Sequence, residues 1–139
     1  MPATVFDIYI EQGALYEGRF SMVDDDDVPI DLTGWTARMQ IRAETRSLIP
    51  LVDLSTENEG IFLNYNGLSG SIFVRISTRE TDSFTWVTGI YDLELYDTQF
   101  ECYRVLKGKV KIDPQITRIP PMIVGLFDSI TSDTCGFIS

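Results

Sequence analysis

The side chains that could perform acid–base chemistry in this 139-residue chain are its carboxylates, because the chain contains no histidine. Without an imidazole there is no histidine general base, no Ser-His-Asp or Cys-His arrangement and no histidine metal ligand. Asp92 and Glu94 lie two residues apart in an alternating segment. A glycosidase places two carboxylates across a cleft, whereas a pair on one strand is typical of surface or cross-strand charge pairing. We therefore predict that the protein is not an enzyme.

Four consecutive aspartates, Asp24 to Asp27, raise the possibility of a calcium loop. Calcium loops place acidic oxygens at alternating positions, with a glycine at the bend and a distal bidentate glutamate. This run has none of these features, so it predicts a solvated hairpin loop. Cys102 and Cys135 are the only cysteines; alone they cannot build a zinc site, and we interpret both as free thiols. We predict no metal and no cofactor.

The composition limits the classes of partner that the protein can bind. The formal net charge of −10 repels phosphate backbones and anionic lipids, so we expect no nucleic acid and no membrane as partners. The first residues lack the basic region and apolar run of a signal peptide, and no run approaches the ~18 apolar residues of a membrane span. The expectation is a protein made and used in a reducing cytoplasm, or in a particle assembled there.

The central element that must position these side chains is residues 35–42. Trp35, Ala37, Met39 and Ile41 fall on one face and polar residues on the other, and this period of two predicts a half-buried strand. The run before it, residues 31–34, has turn chemistry and ends at Gly34, which tolerates backbone angles that other residues avoid.

Similar segments recur at short, even spacing and alternate with turn residues. Thr81 and Asp82 could cap a single helical turn, and Gly108 predicts a bend or a register shift in the last long strand. About eight strands without a helix-length apolar period indicate an all-β antiparallel sandwich or barrel. The predicted strands are residues 4–11, 14–23, 35–42, 50–55, 61–63, 71–78, 86–96 and 100–113.

The composition changes near residue 118, so we predict a β-sandwich domain over residues 1–118 and an extended apolar C-terminal tail over 119–139. An apolar terminus needs a surface to cover it. Two arrangements remain open: the tail adds a strand to its own sandwich, or it docks on another subunit. The predicted protein-interface residues of the tail are Ile119, Pro120, Pro121, Met122, Ile123, Val124, Leu126, Phe127, Ile130, Phe137 and Ile138.

Five segments occur in an order that resembles a family of small virion proteins of tailed bacteriophages. The segments are IYIEQGA, PIDLTGWTARMQIR, GSIFVRISTRETDSF, GIYDLELYD and RVLKGKVKIDPQITR. The likeness covers about residues 5–118. Members of the family show an early strand with Gln-Gly, a DLTGYTA-like strand, a YDLEL strand and a closing VTR. This chain departs from them at Trp35, where tyrosine is common, and in its apolar tail.

The resemblance implies an immunoglobulin-like β-sandwich, similar to the N-terminal domain of phage baseplate upper proteins. It implies a structural adaptor in the tail, baseplate or neck of a virion assembled in the host bacterial cytoplasm. The adaptor would attach fibres or join neighbouring virion proteins through its tail, as a homo-oligomer or in multiple symmetric copies. Two alternatives are a head decoration protein and a carbohydrate-binding module of the adhesion device, with Trp86, Tyr96 and Tyr103 as stacking residues.

Overall fold

The computed structural model describes residues 3–116, and strands form most of its regular structure. One short helix, α1 (Thr78–Asp82), and one 3-10 turn, Tyr65–Gly67, are the helical elements of this range. The strands are β1 (Thr4–Val5), β2 (Ile8–Glu11), β3 (Tyr16–Ser21), β4 (Thr36–Arg42), β5 (Val52–Ser55), β6 (Ile61–Leu63), β7 (Ser71–Ile76), β8 (Thr88–Tyr96) and β9 (Cys102–Asp113).

The strands form two sheets. The larger has the order β1-β9-β8-β4-β5, with β2 also paired to β9, and the smaller has the order β3-β7-β6. Immunoglobulin-like sandwiches place the third, sixth and seventh strands of the domain in one sheet and the second, fourth and fifth in the other. This chain has that arrangement when β1 and β2 are counted together as the first strand and β5 as an additional edge strand beside β4. The third, sixth and seventh strands are then β4, β8 and β9, and the second, fourth and fifth are β3, β6 and β7. The predicted all-β, immunoglobulin-like sandwich is confirmed.

Strand β4 lies inside the larger sheet, between β8 and β5. Its alternation has the predicted sense, because Ala37, Met39 and Ile41 are buried in the core between the sheets. Met39 lies opposite Leu93 of β8 and Leu54 of β5, which are also buried. The intervening side chains of β4 face outward and form the polar surface of the sheet.

The segment predicted as a first strand, residues 4–11, differs from the prediction in two ways. It is interrupted at Phe6 and Asp7, and both of its pieces pair in parallel with β9, whereas the other strand pairs within residues 3–116 are antiparallel. At the interruption, the Lys107 carbonyl accepts from the Phe6 amide at 2.8 Å, and the Asp7 carboxylate accepts from the Lys109 amide at 3.0 Å.

Gly108 lies beside this interruption, where a Cβ would collide with the Phe6 carbonyl. The predicted register shift occurs elsewhere, between Leu93 and Glu94, opposite the Arg104–Leu106 part of β9. Gly108 therefore allows close backbone approach. Of the two alternatives predicted for it, the register shift is wrong and the bend stays a prediction.

Helix α1, five residues long, is the single helical turn predicted near Thr81. Its N-cap is Ser77, whose hydroxyl accepts from the Glu80 amide at 3.2 Å. Thr81 is buried, and its hydroxyl donates to the Ala14 carbonyl at 2.8 Å, which ties the helix to the segment before β3. The expectation that Thr81 or Asp82 caps the helix is wrong, because Ser77 is the N-cap. Thr81 is buried, and its hydroxyl forms a long-range hydrogen bond instead.

Candidate functional site

The predicted interface residues of the tail, Ile119 to Ile138, lie outside the residues that the structure describes, so their role stays a prediction. The described chain approaches them along β9. The Gln115 amide donates to the Gln12 side chain at 2.9 Å, and Ile116 is 90% exposed. At Ile116 the chain therefore lies beside the turn that connects β2 to β3.

Exposed apolar side chains gather at this same end of the sandwich. Leu48 and Ile49, in the loop between β4 and β5, are 94% and 80% exposed. Arg42, the last residue of β4, pairs with Ile90 near the start of β8, and the Ile112 amide donates to the Val87 carbonyl at 2.7 Å. These pairings place the β4–β5 loop, the segment before β8 and the end of β9 at one end of the larger sheet. Exposed apolar side chains that share one end of a sheet are candidates for a contact surface.

Asp92 and Glu94 lie on the outer face of β8, where each carboxylate interacts with a neighbouring side chain. The Asp92 carboxylate pairs across the strands with the Arg104 guanidinium at 3.4 Å, and the Glu94 carboxylate accepts from the Tyr96 hydroxyl at 3.0 Å. Burial, reinforced by the charge of Glu94, raises the pKa of Asp92. The hydrogen bond to Glu94 raises the pKa of Tyr96 to about 12. The interpretation of Asp92 as part of a cross-strand charge pair is confirmed.

The same outer face continues over β4 and β5 as a hydrogen-bonded layer. The Arg38 guanidinium donates to the Asp53 carboxylate at 3.1 and 3.4 Å and lowers the pKa of that carboxyl. Gln40 also donates to Asp53 at 3.3 Å, and its amide oxygen accepts from Arg42 at 2.6 Å. The face offers paired charges, which suit a polar contact between proteins.

The aspartate run forms the predicted hairpin loop, closed by a bridge between Val23 and Pro29. The Asp24 carboxylate accepts from the amides of Asp26 and Val28 at 2.9 and 3.0 Å, so its role is to stabilise the turn. Across residues 3–116 the structure places no group of three or more metal-ligating side chains together. Cys102 is an exposed free thiol at the start of β9, and Cys135 lies beyond Ile116.

The three aromatic residues considered for sugar stacking do not share a platform. Trp86 packs on Phe84, with ring centroids 4.8 Å apart, just before β8, whereas Tyr96 ends the same strand roughly 33 Å away. Tyr103 stacks on Trp35 with centroids 5.8 Å apart. Another aromatic group, which was not predicted from the sequence, lies on the outer face of the smaller sheet. There Phe62, Tyr65 and Phe73 pack together, and Arg19 lies over the Phe73 ring. The sequence signal for this group was Phe73, a large aromatic residue at a position that the alternation of its strand assigns to the outer face.

Comparison of the sequence with protein-family models gives no match, and neither does comparison with curated proteins. Among solved structures, the chain is similar to the crystal structure of a strand-swapped dimer of the mouse leukocyte-associated immunoglobulin-like receptor 1 Ig-like domain. The two share 14% identity over 77% of this chain and 88% of the other, with a TM-score of 0.43. The fold assignment rests on the strand order given above. No helix among the described residues has the length and apolar character to span a bilayer.

Proposed function

We propose that this protein is a structural component of a tailed-phage virion, an adaptor in the tail, baseplate or neck. It joins neighbouring virion proteins in multiple copies, through its apolar end and its C-terminal tail. The observation that carries the proposal is the exposure of Leu48, Ile49 and Ile116 at the end from which the chain continues toward the tail. Covering such side chains removes apolar surface from water and favours association.

The order of the family-like segments supports the virion assignment, and the acidic, charge-paired sheet face suits contacts with proteins. In a particle with many symmetric copies, a modest contact per copy gives firm attachment through effective concentration. A head decoration protein would use the same chemistry at another place, and imaging of labelled particles separates the two. The dispersed positions of Trp86, Tyr96 and Tyr103 give no support to the carbohydrate-binding alternative.

The test is incorporation into particles during assembly in the bacterial host. Deletion of residues 119–139, and separately the double substitution Leu48→Asp/Ile49→Asp, should each reduce the copies recovered in purified particles by at least tenfold. Leu68→Asp is the matched control, because Leu68 is also exposed but lies in the loop between β6 and β7. Normal incorporation of both the deletion and the double variant would overturn the proposal, provided that circular dichroism shows all variants folded.

A further inference from the structure

We propose that β3 is a self-association edge, at which two copies of this chain pair antiparallel to join their smaller sheets into one six-stranded sheet. Within the described residues β3 pairs with β7 alone, so its other side presents unpaired backbone groups. At six residues it is longer than β2, β5 and β6, which also lie at sheet edges. An open edge of this length is a template for pairing with another strand.

The register with β7 decides which residues of β3 point toward the open side. The Met22 amide donates to the Gly70 carbonyl at 2.8 Å, in continuation of the β3–β7 pairing, and the Arg75 amide donates away from β3 to the Gly60 carbonyl at 2.9 Å. Antiparallel partners alternate, so Tyr16, Gly18 and Phe20 bond to β7. The amides and carbonyls of Glu17, Arg19 and Ser21 therefore face the open edge.

These outward-facing residues carry opposite charges at the right spacing for a two-fold contact. With Gly18 on the axis, Glu17 of one copy lies opposite Arg19 of the other, and the pair occurs twice. Both residues point their backbone groups at the partner, as a hydrogen-bonded antiparallel pair requires. A two-fold axis at Arg19 or at Glu17 would instead place like charges opposite each other, which is unfavourable. Charge complementarity thus selects one register.

The inward face of the edge is apolar and incompletely covered. In the same register Tyr16 of one copy lies opposite Phe20 of the other, and both side chains are half-buried in the single chain. Phe6 packs edge-on against Phe20, with ring centroids 5.3 Å apart, and is itself 45% exposed. Pairing would bury the side chains of Phe6, Tyr16 and Phe20 together with the amides of the edge. The burial of apolar surface and the new backbone hydrogen bonds therefore both favour this contact.

Charge complementarity distinguishes β3 from the other edge strands, and the direction of pairing favours a second copy over the tail of the same chain. The strands β2, β5 and β6 contain no cationic side chain, so two copies of any one of them cannot place opposite charges across from each other. At Ile116 the chain lies beside the turn before β3, so a segment that continued directly alongside β3 would pair with it in parallel. Parallel pairs are slightly less stable per residue than antiparallel ones.

The experiment measures self-association of the full chain by light scattering over a dilution series. Physiological ionic strength is used, because it screens the long-range repulsion between the two net charges more than it weakens charge pairs in contact. Glu17→Arg and Arg19→Glu each create two like-charge pairs, and each should raise the dimer dissociation constant at least about tenfold. Mixed one to one, the two variants regain complementary pairs and should form dimers. Lys111→Glu, which changes the net charge as Arg19→Glu does but lies on β9, is the control.

Three outcomes would each overturn the inference: a wild-type chain that stays monomeric, single variants that dimerise like wild type, or a mixture that stays monomeric. Circular dichroism confirms that each variant is folded. The inference concerns the isolated chain and does not depend on the virion assignment. If tail deletion abolishes particle incorporation while the charge variants leave association unchanged, the proposed function stands and this inference fails. If the charge variants weaken association while tail deletion leaves particle incorporation unchanged, the β3 contact stands and the proposed virion role fails.

Discussion

At the scale of single residues, Asn64 connects the run before β4 to the loop between β6 and β7. Its side-chain oxygen accepts from the amides of Leu32 and Gly70 at 3.2 and 3.0 Å, and its amide nitrogen donates to the Asp31 carboxylate at 2.8 Å. The hydrogen bond from the Thr33 hydroxyl, followed by the one from the Asn64 side chain, lowers the pKa of Asp31. Asn64 also adopts a left-handed backbone conformation, with φ of 53°, which asparagine tolerates better than most residues. The run before β4 is therefore held in place by a side chain distant in sequence.

Replacing Asn64 by alanine should lower the free energy of unfolding by roughly 2–3 kcal/mol, because two backbone donors lose their acceptor and alanine is strained in this conformation. Urea denaturation measures the change. Asn66→Ala is the control, since Asn66 has a similar φ of 57° but is exposed, and it should cost only about 1 kcal/mol. Equal losses in the two variants would show that the side-chain bonds contribute little.

Tyr91 is a residue whose environment predicts a pH dependence. Its hydroxyl donates to the Phe6 carbonyl at 2.5 Å, and burial, followed by the charges of Tyr16 and Asp7, raises its pKa above the ordinary value of 10.0. The folded state therefore keeps the proton while the unfolded state releases it. The stability from this group is complete below about pH 10 and is lost as the pH rises above that value.

Tyr91→Phe should lower the free energy of unfolding by about 1 kcal/mol at neutral pH, and should make the decline of stability above about pH 10 shallower. Denaturant titrations at neutral and alkaline pH test both effects. Tyr9→Phe serves as the control, because Tyr9 is exposed and its replacement should leave the wild-type slope. An unchanged slope in Tyr91→Phe would contradict the assignment of this titration to Tyr91.

At the scale of elements, the close approach of the Phe6 backbone to β9 depends on the absence of a side chain at Gly108. Gly108→Ala should force the Phe6 carbonyl away and cost about 2 kcal/mol, since a methyl group has no space there. Hydrogen exchange should show lost protection across β2 in particular. Gly67→Ala is the comparison, because a Cβ at Gly67 meets open space although its φ is +75°. It should lower stability while leaving β2 protected, and lost protection in both variants would refute the local explanation.

At the scale of the whole molecule, the described residues form a hydrophobic core between the two sheets. Its buried side chains come from both sheets and include Ile10, Met39, Ile76, Leu93 and Ile112. A chain that ends at Arg118 should therefore unfold cooperatively, with a free energy of unfolding within about 1 kcal/mol of the full chain. Thermal and urea denaturation provide the comparison. A much larger loss would mean that the tail packs on its own sandwich, which would favour the first of the two arrangements considered for it.

The sequence by itself determined the class of the fold and the inward faces of its main strands. Alternation in β4, β7 and β8 is a local property, because successive side chains of any strand point to opposite faces. The lack of histidine and the net charge likewise follow from composition and bound the chemistry. The hairpin at Asp24 to Asp27 was predictable for the same reason, since its hydrogen bonds connect residues within four positions of one another.

Only the tertiary structure decided which strands are neighbours. The parallel pairing of β1 and β2 with β9, the open side of β3, and the common end shared by Leu48 and Ile116 all depend on segments far apart in the chain. The role of Ser77 as the helix cap, with Thr81 bonded to Ala14, has the same origin. Side-chain periodicity specifies a face but leaves the partner strand open, so the choice of partner follows from how the two sheets enclose one core.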